Sequence, residues 1–188
     1  RYCQVPTFSR DTIRRFSRNV LDMKQLGARD FEDLLQCALP TFEGLLPDGH
    51  NDRIQDLLFA MAHWHALSKL RMHTDTTLQL LDSWTSVLGE AARTFAALTC
   101  SLFQTRELKS EYEARKRKES QRSSRKGGKG EPNINPTQSS VSDEGGRKPR
   151  GWSLSTPKFH SLGDVVNYIK RAGTTDSYST QLVCYFDA

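Results

Sequence analysis

Three histidines, His63, His65 and His73, and three acids, Asp75, Asp82 and Glu90, stand in the middle of a 188-residue chain, and their types suit metal binding or acid–base work. Their spacing argues against a shared centre. On a helix, residues two apart point about 200° from each other, so His63 and His65 do not converge on one ion as an i, i+4 pair would. His73 lies two turns beyond His65, and no acid sits one helical turn from His65. The histidines therefore read as half-buried structural residues beside Trp64. Asp75, Asp82 and Glu90 recur at seven- and eight-residue spacing on one face. Asp75 suits a first helical turn, where the dipole favours an acid, and the others suit a solvated surface. The expectation is no catalytic residue, no metal ligand and no cofactor; a small metallohydrolase using His63, His65 and Asp75 is the least favoured reading.

A second polar constellation is denser. Thr174, Thr175, Asp176, Ser177, Tyr178, Ser179, Thr180 and Gln181 place six hydroxyls around one acid, and the apolar run Leu182-Val183-Cys184-Tyr185-Phe186 follows at once. A Ser/Thr or Asx turn after Gly173 accounts for such a run by local hydrogen bonding. The alternative is a relic polar site, Thr174 to Tyr178, lining a cleft completed by other parts of a larger protein.

The third feature is charge. Between Lys109 and Arg150 there are twelve Lys or Arg and six Asp or Glu, whereas the rest of the chain holds fifteen basic and sixteen acidic residues. The net charge of +5 thus belongs to one segment. Arg115, Lys116, Arg117, Lys118, Arg122, Arg125, Lys126 and Lys129 are its candidate nucleic-acid contacts, because clustered cations meet phosphates with release of counterions. The competing reading is a solvated tether kept extended by its own charge. Arg14, Arg15 and Arg18 on an early helix, and Lys69 with Arg71 at a helix end, are weaker versions of the same idea.

The elements that must position these groups follow from periodicity. Ile13, Phe16, Val20, Leu21 and Met23 predict a short helix ending before Gly27. Asp30 is an N-cap for a second, with Phe31, Leu34, Leu35 and Ala38 on one face until Pro40 ends or bends it. After a turn at residues 45–49, Asn51 starts a long helix whose stripe runs Ile54, Leu57, Leu58, Met61, Ala62, Trp64, His65, Leu67 and Leu70. Thr74 and Asp75 start another, carried by Leu78, Leu81, Trp84, Val87, Leu88, Ala91, Phe95, Leu98 and Leu102. Two such helices on a short link pack as an antiparallel hairpin. Beyond Leu108 the apolar face thins to Tyr112 and Ala114 and the helix runs out into solvent. Residues 123–151, rich in Gly, Ser and Pro without a periodic face, read as a disordered linker. Ser161 and Gly173 bracket a last helix whose Leu162, Val165, Val166 and Ile169 need a core supplied by the helices before the linker.

The fold class expected is mainly α: a long antiparallel hairpin with flanking shorter helices and a disordered basic linker. Its organisation is a helical region over 1–108, a charged helix extension over 109–122, the linker over 123–151, and a short helix with a polar segment over 152–188 packing on the helical region. Hydrophobic content of 36% and a mean hydropathy of −0.63 fit a globular part diluted by a polar stretch. Cys3, Cys37, Cys100 and Cys184 form no CxxC pair, so neither a zinc knuckle nor a disulfide scaffold is indicated. With no signal-peptide core and no apolar run of about twenty residues, the expectation is an intracellular chain, nuclear if it meets DNA, with no membrane or small-molecule partner.

Three blocks resemble a known family. They are Val5-Pro6-Thr7-Phe8 with Asp11 to Phe16 and Ala28 to Cys37; Ala62-His63-Trp64-His65-Ala66 with Lys69 to Asp75; and Lys158 to Asp164 with Gly173 to Gln181. Together they resemble the C-terminal region of fungal Plavaka-type, KDZ-associated DNA transposases, over nearly the whole chain to Gln181 apart from the linker. The resemblance implies a mobile-element protein whose metal-dependent acidic core, of ribonuclease-H-like fold, lies in segments outside these blocks, so no catalytic residue is carried over. It also implies truncation: the family continues past the glutamine with a Glu-Leu-Glu-His stretch, whereas this chain turns to Leu182-Val183-Cys184-Tyr185-Phe186-Asp187-Ala188. The resulting expectation is a transposase-derived helical fragment without enzymatic activity, with DNA or other transposase segments as partners. The rival is a helical protein–protein interaction module with a basic tether.

Overall fold

The computed structural model describes residues 1–8, 15–17, 19–20, 26–126 and 146–175. The fold is mainly helical, and no strand occurs among the described residues. The segments are α1 (Ala28–Gln36), α2 (Ala38–Phe42), α3 (His50–Ser68), α4 (Asp75–Leu98), α5 (Lys109–Lys126), α6 (Pro157–His160) and α7 (Val165–Ala172), with short 3-10 turns between some of them. They fall into two compact units, residues 1–99 with 153–188, and residues 100–152.

In the first unit α3 and α4 form the expected antiparallel hairpin. His50 at the start of α3 meets Thr99 just past the end of α4, with Nδ1 3.1 Å from Oγ1. Trp64, fourteen residues further along α3, donates its indole N–H to Thr85 Oγ1 at 2.8 Å. Ile54, Leu57 and Ala60 interlock with Leu88 and Ala92 in a buried cluster. Thr74 caps α4 by accepting the Thr77 amide at 3.3 Å, as its position before Asp75 predicts.

The chain reaches α3 through a short kinked pair of helices. Pro40 has no N–H for the Gln36 carbonyl and its ring crowds that carbonyl, so α1 stops at Gln36 and α2 restarts at Ala38. Asp30 differs from its expected place: Gly27 is the N-cap, and Asp30, three residues on, accepts the Gly27 amide at 2.7 Å through Oδ2. Phe31, expected on the apolar face, is exposed, while Asp33 is buried. The turn before α3 needs Gly49, whose φ of 77° is costly for any residue with a Cβ. Gly49 is also the N-cap of α3; the Asn51 side chain instead accepts the Gly44 amide at 2.7 Å and holds the turn. The first expected helix falls largely on residues outside the described ones; residues 15–17 and 19 are not helical.

The late segment packs where its pattern requires. Val166 and Ile169 of α7 are buried with Leu78 and Leu81 of α4, with Val165 and Leu67 against them. Trp64 touches both this cluster and the α3–α4 cluster, so the two are one continuous core. The helical stretch begins before Ser161: Thr156 caps α6, accepting the Phe159 amide at 3.3 Å, and Pro157 takes the first position, where its missing N–H costs nothing. Gly173 ends α7 with φ 90°, as expected.

In the second unit α5 runs to Lys126, four residues beyond the expected charged extension. Residues 146–150, expected within the linker, hydrogen-bond to the segment before α5. The Glu107 amide donates to the Lys148 carbonyl at 3.0 Å and the Arg150 amide to the Thr105 carbonyl at 2.9 Å, flanking an antiparallel bridge between Arg106 and Pro149. The central linker, residues 127–145, lies outside the described residues.

Candidate functional site

The three histidines face three different environments. His63 stacks on Trp84 with ring centroids 4.0 Å apart and 25° between planes, and Phe59 stands 5.8 Å from the imidazole and 5.9 Å from the indole. His65 turns to the other side of α3, where its Nε2 lies 3.6 Å from Glu32 of α1, and the Lys69 ammonium donates to the same carboxylate oxygen at 3.0 Å. Burial pushes the His65 imidazole below its ordinary value; Glu32 opposes that shift and Lys69 adds to it. His73 meets Thr77 Oγ1 at 3.3 Å. Among the described residues no three His, Cys, Asp or Glu side chains gather as a metal centre. Glu32 is the acid that spacing around His65 does not reveal, because it arrives from another helix 33 positions earlier.

The acids of α4 are divided in the same way. Asp75 and Asp82 line a polar groove of about 370 Å³ with Gln79, Asn167 and Lys170, whereas Glu90 lines a separate groove between α3 and α4. Of the polar run after Gly173, Thr175 donates its hydroxyl to the Ser68 carbonyl at 3.0 Å. That oxygen is one of the last carbonyls of α3, which have no intrahelical donor. Thr174 and Thr175 are half-buried, and Asp176, Ser177 and Tyr178 lie outside the described residues.

The basic helix is where charge and geometry coincide. Its anchor is Glu107, buried although charged. Its carboxylate accepts from Arg115 Nε at 3.1 Å, from the same guanidinium's second nitrogen at 3.0 Å, and from the Lys148 amide at 3.1 Å. The hydrogen bonds from Arg115 hold the Glu107 carboxyl below its ordinary value, with the Lys148 amide next in weight. Arg115 also donates to the Gly146 carbonyl at 2.9 Å and to Glu119 at 3.2 Å. This forked pairing satisfies nearly all the donors of one guanidinium.

Arg115 is therefore the clasp that closes the base of the segment. Arg117 stands 4.0 Å from Glu113, while Lys116, Lys118 and Arg122 are exposed on α5. Lys118 and Arg122 occupy i and i+4 positions, one face of the helix. Arg125 and Lys126 lie on its helical backbone, and Lys129 lies outside the described residues. Arg15 is exposed, and Arg14 and Arg18 lie outside the described residues. No helix among the described residues is long and apolar enough to cross a membrane.

Neither protein-family models, nor curated proteins, nor solved structures match this chain.

Proposed function

We propose that this chain is a transposase-derived helical fragment without catalytic activity of its own, and that it makes weak, sequence-independent contact with a nucleic-acid backbone through α5. The transposase origin rests on the three sequence blocks. The contact rests chiefly on one observation: Lys118 and Arg122 share an exposed helix face while Arg115, their neighbour, is spent on Glu107 and holds that helix at its base. α5 carries eight basic residues against three acids and almost no apolar side chain, so its face suits a polyanion better than a packed protein core.

Binding of the purified chain to a short DNA duplex, followed by fluorescence anisotropy across a salt series, tests this. With three to five phosphates neutralised, the log–log salt slope is expected at about −3 to −4.5, with sub-millimolar affinity at low salt. Lys118→Glu with Arg122→Glu is expected to weaken binding at least about tenfold and to flatten the slope by about 2. Absence of binding at low salt, or a slope near zero, refutes the contact. Metal-dependent nicking or strand transfer by the purified chain, abolished by Asp176→Ala, refutes the inactive fragment. The rival reading, a protein-interaction module, draws on a different surface, the open side of the α3–α4 hairpin.

A further inference from the structure

α4 carries two apolar seams. One is buried: Leu78, Leu81, Leu88 and Ala92 face α3 and α7. The other runs Leu80, Trp84, Val87, Ala91, Thr94 and Leu98, at spacings of four, three, four, three and four. That period of 3.5 is the spacing of a helix that packs lengthwise along another. Yet Leu80 is 47% exposed, Val87 45% and Leu98 50%, and Phe59 on the adjoining face of α3 is 52% exposed. Between the two helices this seam borders an open groove of about 380 Å³, floored by Phe59, Ala60, Trp84 and Ala91 and rimmed by Arg53, Asp56 and Glu90.

We propose that this face binds a second copy of the same chain, hairpin against hairpin, making a four-helix bundle with a two-fold axis parallel to the helices. The rim charges select both the occupant and its direction. His50 opposite Thr99 and Trp64 opposite Thr85 set Arg53 at about the height of residue 96 on α4 and Asp56 about one turn further along, with Glu90 near the middle of the seam. A parallel two-fold keeps each Arg53 within about 5 to 9 Å, along the axis, of Asp56 and Glu90 of the other copy, whereas an antiparallel one carries it to the apolar end at Leu80 and Trp84. Arg53 spends one donor on His50 Nδ1 at 3.2 Å, and its guanidinium has others to give.

Eighteen residues of seam span about 27 Å, and two helices side by side about 20 Å, so the face covers on the order of 500 Å² in projection. Side-chain relief raises that toward the low end of specific interfaces, the class of weak and reversible association rather than of obligate dimers. The inference does not depend on whether α5 meets nucleic acid.

Sedimentation equilibrium of the full chain from about 1 to 200 μM, which brackets micromolar association, provides the test. The expected result is a mass rising from one chain to two. Leu80→Glu and Val87→Glu, both at exposed positions, are each expected to keep the far-UV helicity and to remain monomeric throughout. Arg53→Glu is expected to weaken the dimer by about tenfold, and adding Glu90→Arg to restore it. A wild-type chain that stays monomeric at the highest concentration overturns the proposal and leaves the groove to an unlike helix. A dimer that survives both seam substitutions overturns it equally.

Discussion

Replacing Leu81 by alanine probes whether α7 is held by the hairpin's core. Leu81 is fully buried, and its neighbours include Val166 and Ile169, which come from the far side of the basic segment. The substitution removes three carbons, about 2.4 kcal/mol at ~0.8 kcal/mol for each buried methylene. A residual cavity of about 60 Å³ adds roughly 1.4 kcal/mol at ~24 cal/mol per Å³. The expected loss is therefore about 3–4 kcal/mol, a large share of the ~5–15 kcal/mol that holds a domain folded. Urea unfolding followed through tryptophan fluorescence measures it, since Trp64 touches both halves of the core. Met72→Ala is the control: Met72 is 83% exposed, and its loss is expected to stay within about 0.5 kcal/mol. If Leu81→Ala costs under about 1 kcal/mol, or no more than Met72→Ala, α7 does not close over Leu81 of α4.

Two further expectations concern titration. The Glu107 carboxyl is held below its ordinary value of 4.5, so its clasp contributes fully at neutral pH, and that contribution is lost as pH falls through the lowered folded-state value. The protection of the Lys148 amide, which donates to that carboxylate, against hydrogen exchange relative to its intrinsic rate should fall in acid, and Glu107→Gln should lower that protection at neutral pH. The His65 imidazole is pushed down, so the folded chain takes up its proton less readily than the unfolded one. Stability from that source is full above the ordinary value of 6.5 and falls as pH drops through it, levelling off below the folded-state value. In a urea series His65→Gln should flatten that acid slope; an unchanged slope would remove His65 from the account.

The α3–α4 hairpin and the docking stripe of α7 were legible in the sequence because each rests on local periodicity. An apolar residue every three or four positions defines a helix face whatever lies opposite, and Thr74 and Gly173 mark ends through their own backbone chemistry. The same periodicity cannot say which of two stripes is covered. α4 carries one at Leu81 and another at Val87, and only the placement of α3 and α7 buries the first and leaves the second open.

Electrostatic roles were still less legible, since they depend on partners distant in the chain. His65 acquires its acid from α1, and Arg115, one of a run of four cations, is singled out by Glu107 and by residues that return at 146 and 148. Thr175 is likewise a cap on α3, 107 positions from the carbonyl it serves. Composition and period by themselves determined which segments are helical and where positive charge gathers, because both are properties of neighbours along the chain. Which charges are consumed, which apolar face is closed and which hydroxyl is structural were decided only when burial in the folded chain brought remote groups within hydrogen-bonding distance.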